Sequence, residues 1–155
     1  MFRRVLLAAA LSAAFVSAAS AATVTYSAKL SGAKEVPKNA STGTGTFNGT
    51  FDTTTKVLNY TLTFSGLSGP ATAAHIHGPA KKGENAGVVA PLGDKSPTSP
   101  ITGSVTLTDD QAKALRSTML YVNVHTAANP GGEIRGPIYH ASHKAAPAKA
   151  APAAK

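Results

Sequence analysis

The chain has no cysteine. That absence excludes disulfide staples, thiolate zinc sites, thiol redox chemistry and a cysteine nucleophile. Acidic residues are scarce and dispersed, seven in 155, so no carboxylate pair of the glycosidase kind is visible. No serine sits in a nucleophile-elbow setting. Thr42-Gly43-Thr44-Gly45 is glycine-rich, but no Lys-Ser or Lys-Thr opens a helix after it, which excludes a phosphate loop. Long apolar runs are missing as well. The run from Val5 to Val16 falls short of the roughly 20 residues that cross a bilayer.

That short run has a position and a context. Arg3 and Arg4 precede it, and Ser17 to Ala22 are all small, with Ala19-Ser20-Ala21 in the form of a cleavage site. The pattern is that of a secretory signal peptide over residues 1–21, rather than a membrane anchor or a core helix. It predicts a mature chain from Ala22 or Thr23, located in a periplasm or outside the cell. No lipobox cysteine is present, and no transmembrane segment is expected after cleavage. At the other end, residues 140–155 are Ala, Pro, Lys, Ser and His with no large apolar side chain. Such a composition cannot bury a core and predicts a disordered tail. One domain over residues 22–139 is left, large enough to bury a core without covalent staples.

The formal charge of +8 overstates that domain. Arg3 and Arg4 belong to the signal, and Lys144, Lys149 and Lys155 to the tail. Ten basic residues then face seven acidic ones, scattered along the chain with only Lys81 and Lys82 adjacent. This is not the charge density of a nucleic-acid-binding surface.

Within the domain the hydrophobic period is two. Val24, Tyr26, Ala28 and Leu30 alternate with polar residues. Residues 44–51 and 56–64 do likewise, with Asp52-Thr53-Thr54-Thr55 as the turn of a hairpin. Shorter strands are expected at 73–77, 87–92, 101–107, 120–124 and 134–139, with Pro137 marking an edge or an end. Thr108, Asp109, Asp110 and Gln111 carry the one helix signal, an N-cap with a capping box. About eight short strands and a single helix in a connection predict an all-β antiparallel sandwich or barrel.

The most informative local pattern is Ala74-His75-Ile76-His77-Gly78-Pro79. Residues i and i+2 of a strand share a face, so His75 and His77 point one way while Ala74 and Ile76 point into the core. His125 has matching parity on its own strand, with Tyr121 and Asn123, opposite Leu120, Val122 and Val124. Were the two strands neighbours, His75, His77 and His125 would form a three-nitrogen site suited to copper or zinc. Glu133 would be a ligand or an acceptor for an imidazole N–H. The competing reading is of polar positions on an exposed sheet face, or of histidines hydrogen-bonded to loops.

Taken together, these motifs resemble a known family. Ala74 to Pro79, Gly87-Val88-Val89, and Val122-Asn123-Val124-His125-Thr126 leading to Asn129-Pro130-Gly131-Gly132-Glu133-Ile134-Arg135-Gly136 are similar to the CHRD domain, named from chordin. Ala28 to Pro37, ending in the acid-Val-Pro corner Glu35-Val36-Pro37, resembles the opening of that domain. The resemblance implies an immunoglobulin-like, Greek-key β-sandwich in an extracytoplasmic setting, and no enzyme activity. With it the competing reading sharpens to a polar network in which His75, His77, His125, Asn129, Glu133 and Arg135 fix loops at one end of the sandwich and Glu133 pairs with Arg135. The expected partner, from the residues themselves, is a metal ion, or else an envelope protein or a polysaccharide. A looser likeness to copper/zinc superoxide dismutase, another β-sandwich, rests on a His-x-His on one strand and a histidine near the end of another. The chain lacks an evident bridging histidine, a cysteine pair and a zinc-ligand cluster, Asp94 being the nearest carboxylate candidate.

Overall fold

The computed structural model describes residues 22–141. The expected signal segment, and the expected tail beyond Ala141, lie outside the described residues. Nine strands, one α-helix and one 3-10 turn follow in the order β1 (Thr23–Ser31), the turn Gly32–Lys34, β2 (Thr44–Asp52), β3 (Val57–Ser65), β4 (Ala71–His77), β5 (Val88–Asp94), β6 (Ile101–Thr106), α1 (Asp109–Arg116), β7 (Tyr121–Thr126), β8 (Ile134–Pro137) and β9 (Tyr139–His140). All pairing is antiparallel. The all-β class with one short helix is as expected.

The strands hydrogen-bond in the order β5-β4-β7-β8-β1-β2-β3-β6, with β9 on β1. One sheet therefore wraps on itself instead of two sheets meeting. Its halves face each other as layers, and the chain crosses between them at β3–β4, β5–β6, β6–β7 and β8–β9. β8 and β1 share a single paired position, Ser31 with Arg135, so the corner is thinly laced. The inward sets interdigitate as one core: Tyr26, Ala28 and Leu30; Phe47 and Phe51; Leu58 and Leu62; Ala74 and Ile76; Val122 and Val124; Ile134. Phe47, Phe51, Leu58, Leu62, Ile76, Val122 and Val124 are fully buried, each worth about 1.5–3 kcal/mol relative to exposure.

Local chemistry sets the connections. Asp52 Oδ1 accepts hydrogen bonds from the amides of Thr54 and Thr55, both at 2.8 Å, and so closes the β2–β3 hairpin. Thr108 and Gln111 form the reciprocal capping box of α1, whose Ala112, Ala114 and Leu115 join the core. Residues 134–139 do not make one strand. Pro137 has no N–H for the ladder and ends β8; β9 then leaves β7 and pairs with β1, Tyr26 opposite His140. The sheet thus takes in His140, the first residue of the expected tail.

β4, β7 and β8 lie side by side, with His75 opposite Asn123, Asn123 opposite Arg135, and His77 opposite Tyr121. Their outward face is not bare. Tyr121, Asn123 and Arg135 are as buried as core residues, although they point away from the core. Asn85 Nδ2 donates to the Val36 carbonyl at 2.9 Å and Arg135 reaches both Asn85 and Glu84, which lashes the β4–β5 loop to the segment after β1 above this face.

Candidate metal centre

β4 and β7 are neighbours, and their register brings His75, His77 and His125 together. One ligand nitrogen from each lies within 4.8 Å of the other two. Three points so placed lie within 4.8/√3, about 2.8 Å, of a common centre, close to the roughly 2 Å of a metal–imidazole bond. His77 is buried; His75 and His125 are half-buried.

The backbone fixes the tautomers. His77 Nδ1 faces the Ala86 carbonyl at 3.0 Å, and His125 Nδ1 faces the Pro130 carbonyl at 3.0 Å. A carbonyl only accepts, so both Nδ1 atoms carry the hydrogen and both Nε2 atoms present a lone pair. This arrangement, a ring N–H held by a backbone carbonyl, is how metal-bound histidines are usually oriented. His77 Nε2 is buried and, among the described residues, has no hydrogen-bond partner. His125 Nε2 lies 3.1 Å from His75 Nδ1, a separation two bare lone pairs hold only with a proton or a cation between them. Desolvation lowers the pKa of His77, against the Ala86 hydrogen bond and with help from the neighbouring histidines and Arg135. Desolvation likewise lowers that of His125. Both shifts favour the neutral imidazole, the form that ligates.

Tyr121 forms the platform beneath. Its ring stacks on His77 at 5.1 Å between centroids, and the Arg135 guanidinium lies 4.0 Å from its centroid. Its hydroxyl accepts from the Ala86 amide at 3.1 Å, on the residue whose carbonyl orients His77. Arg135 Nη1 and Nη2 donate to Asn85 Oδ1 and the Glu84 carbonyl, each at 2.8 Å. Arg135 therefore supports the histidines through Tyr121 and the β4–β5 loop.

Glu133 and Asn129 belong to a separate network. The fully buried Glu133 carboxylate accepts from Ser41 Oγ (2.7 Å), Ser68 N (2.7 Å), Ser68 Oγ (2.6 Å), Thr126 Oγ1 (2.5 Å) and Asn129 Nδ2 (3.2 Å). Burial alone would raise its pKa, but hydrogen bonds from Ser68, Thr126 and Ser41 outweigh it and bring the value to about 2. Neither an imidazole nor Arg135 is among these partners, so the expected Glu133–Arg135 ion pair is not formed. The donors from Ser41, Ser68 and Asn129 saturate the carboxylate, and Arg135 is drawn to the opposite side by Tyr121 and Asn85. Glu133 instead pins the β7–β8 turn whose Pro130 carbonyl orients His125.

Glu35 was missed as a site residue. It is 5% exposed, beside Asn123, whose Nδ2 is 3.5 Å from Glu35 Oε2. Desolvation raises its pKa to about 7, against the Arg135 charge and the Asn123 and Val36 hydrogen bonds. Its only signal in the sequence was the acid-Val-Pro corner. Spacing gave no hint that this corner folds over β7.

No curated protein and no solved structure matches the chain. The family model of the CHRD domain matches residues 26–138, the sheet from within β1 to the residue after β8. That span contains all three histidines and both networks that hold them, and the chain belongs to the CHRD domain family.

Proposed function

We propose that this protein is an exported, non-catalytic binding protein that takes up a transition metal, copper or zinc, through His75, His77 and His125. The observation that carries the reading is His77 Nε2, a buried acceptor without a partner, facing two further imidazoles. An orphaned buried acceptor costs about 1–3 kcal/mol, and a cation removes that cost. Three neutral nitrogens with no thiolate and no carboxylate among them suit copper or zinc and not calcium or magnesium, which take oxygen. Export, read from residues 1–21, supports copper as the first choice. Among the described residues this is the one cluster of metal-ligand side chains, so the second metal position of a copper/zinc dismutase is not seen there.

Titration calorimetry with copper and zinc tests the reading. Wild-type protein is expected to bind one ion per chain and to melt higher when loaded. His75→Ala/His77→Ala is expected to lose both effects. Binding no tighter than about millimolar, roughly 4 kcal/mol, in the wild type would refute it.

A further inference from the structure

The basic residues that are scattered in sequence converge in space. A groove of about 730 Å³ opens beside the metal centre, between the segment after β1, the β4–β5 loop and the end of β8. Lys34, Lys38, Lys81, Lys82 and Arg135 line it, half of the ten basic residues between 22 and 141. Among the described residues Glu35 is the one acid that lines it. Desolvation, and then the charge of Lys29, lower the pKa of Lys34.

The charge selects an anion, and the remaining walls narrow its chemistry. Tyr139, 49% exposed, presents ring surface to the groove, and the exposed Ser117 and Thr118 add hydroxyl groups; Tyr121 lies beneath, its ring covered by His77 and Arg135. A uniformly anionic occupant, such as an acidic peptide or a polyphosphate, would set its charge against Glu35. A chain that alternates carboxylates with hydroxyls and flat C–H faces meets every wall: carboxylates on lysines, hydroxyls on Glu35 and the hydroxyl side, C–H faces on tyrosine. The volume falls within the range of small-ligand sites and suits a few sugar units. The chain's own C-terminal segment does not qualify. Residues 142–155 carry Lys144, Lys149 and Lys155 and no acid, so the lysines of the groove repel it.

We propose that this groove binds an acidic oligosaccharide of the uronate class, independently of the metal. Calorimetry of the mature chain in EDTA, titrated with trigalacturonate, tests this apart from the metal reading. Saturable submillimolar binding is expected, weakened at least tenfold in Lys81→Glu/Lys82→Glu and several-fold in Tyr139→Ser. The methyl-esterified trimer should not bind, and hexaglutamate should bind at least tenfold more weakly than the uronate. Each of three results would overturn the proposal: no saturation by 10 mM uronate, equal binding of the ester, or hexaglutamate binding as tightly as the uronate.

Discussion

At the scale of single residues, the two buried carboxylates act in opposite directions. Glu133 has its pKa lowered to about 2 by hydrogen-bond donors, so its contribution to stability is present above the unfolded value near 4.5 and is lost as pH falls towards 2. Glu35 has its pKa raised to about 7 by desolvation, so its contribution is present below 4.5 and is lost as pH rises through 7. Glu35→Gln is therefore expected to flatten the decline in unfolding free energy between pH 4.5 and 7, a change on the order of 3 kcal/mol. Urea unfolding at pH 4.5, 6 and 8 measures it; a slope identical to wild type would contradict the assignment. Glu133→Gln places an amide N–H₂ among donors and should cost about 3 kcal/mol at pH 7. It should also remove the loss of stability between pH 4.5 and 2.

At the scale of elements, the strands were legible and the coverings were not. Val24-Tyr26-Ala28-Leu30 and Leu58-Tyr60-Leu62 announce half-buried strands by period alone, and Thr108 with Gln111 announces the helix start. Parity also put His75, His77 and His125 on outward faces. Parity cannot say that an outward face will be roofed. Tyr121, Asn123 and Arg135 read as polar-face positions, yet they are buried because two remote loops cross above them. The destination of Glu35, and the gathering of Lys34 and Lys38 with Lys81 and Lys82, depend on that crossing and leave no periodic trace. Two glycines test the roof. Gly78 has φ +148°, and an added Cβ would come within 2.4 Å of Leu120 Cδ2 and 2.7 Å of the Met119 carbonyl oxygen. Gly132 has φ +132°, and its Cβ would meet Asn123 Nδ2 at 2.4 Å. Gly78→Ala or Gly132→Ala should cost more than the roughly 1 kcal/mol of an ordinary glycine substitution. Gly78 directly follows His77, and Gly132 lies in the turn whose Pro130 carbonyl orients His125, so on the metal reading affinity should fall at least tenfold, read by competition with a chelating dye. Thr108→Ala is the control: about 1 kcal/mol of stability from the lost cap, with metal affinity unchanged.

At the scale of the whole molecule, no described helix is long and apolar enough to cross a membrane. The cysteine-free core closes on packing, with Phe47 and Phe51 fully buried. Phe47→Ala should cost about 3–5 kcal/mol, and calorimetric melting measures it. The two buried carboxylates together place the pH of greatest stability on the acid side of neutrality, and a melting series from pH 3 to 9 should peak there. One contact has a topological consequence. His75 and His125 touch across 50 residues of chain, from the middle of β4 to the end of β7. An ion shared between them ties a loop of that length, and the chain-entropy relation for such a loop gives about 4 kcal/mol at 25 °C. Holding that tie needs no oxidant and no thiol, only supply of the ion. On the proposed metal reading, the rate at which a protease cuts within residues 78–120 would be a gauge of free metal in whatever compartment holds the protein.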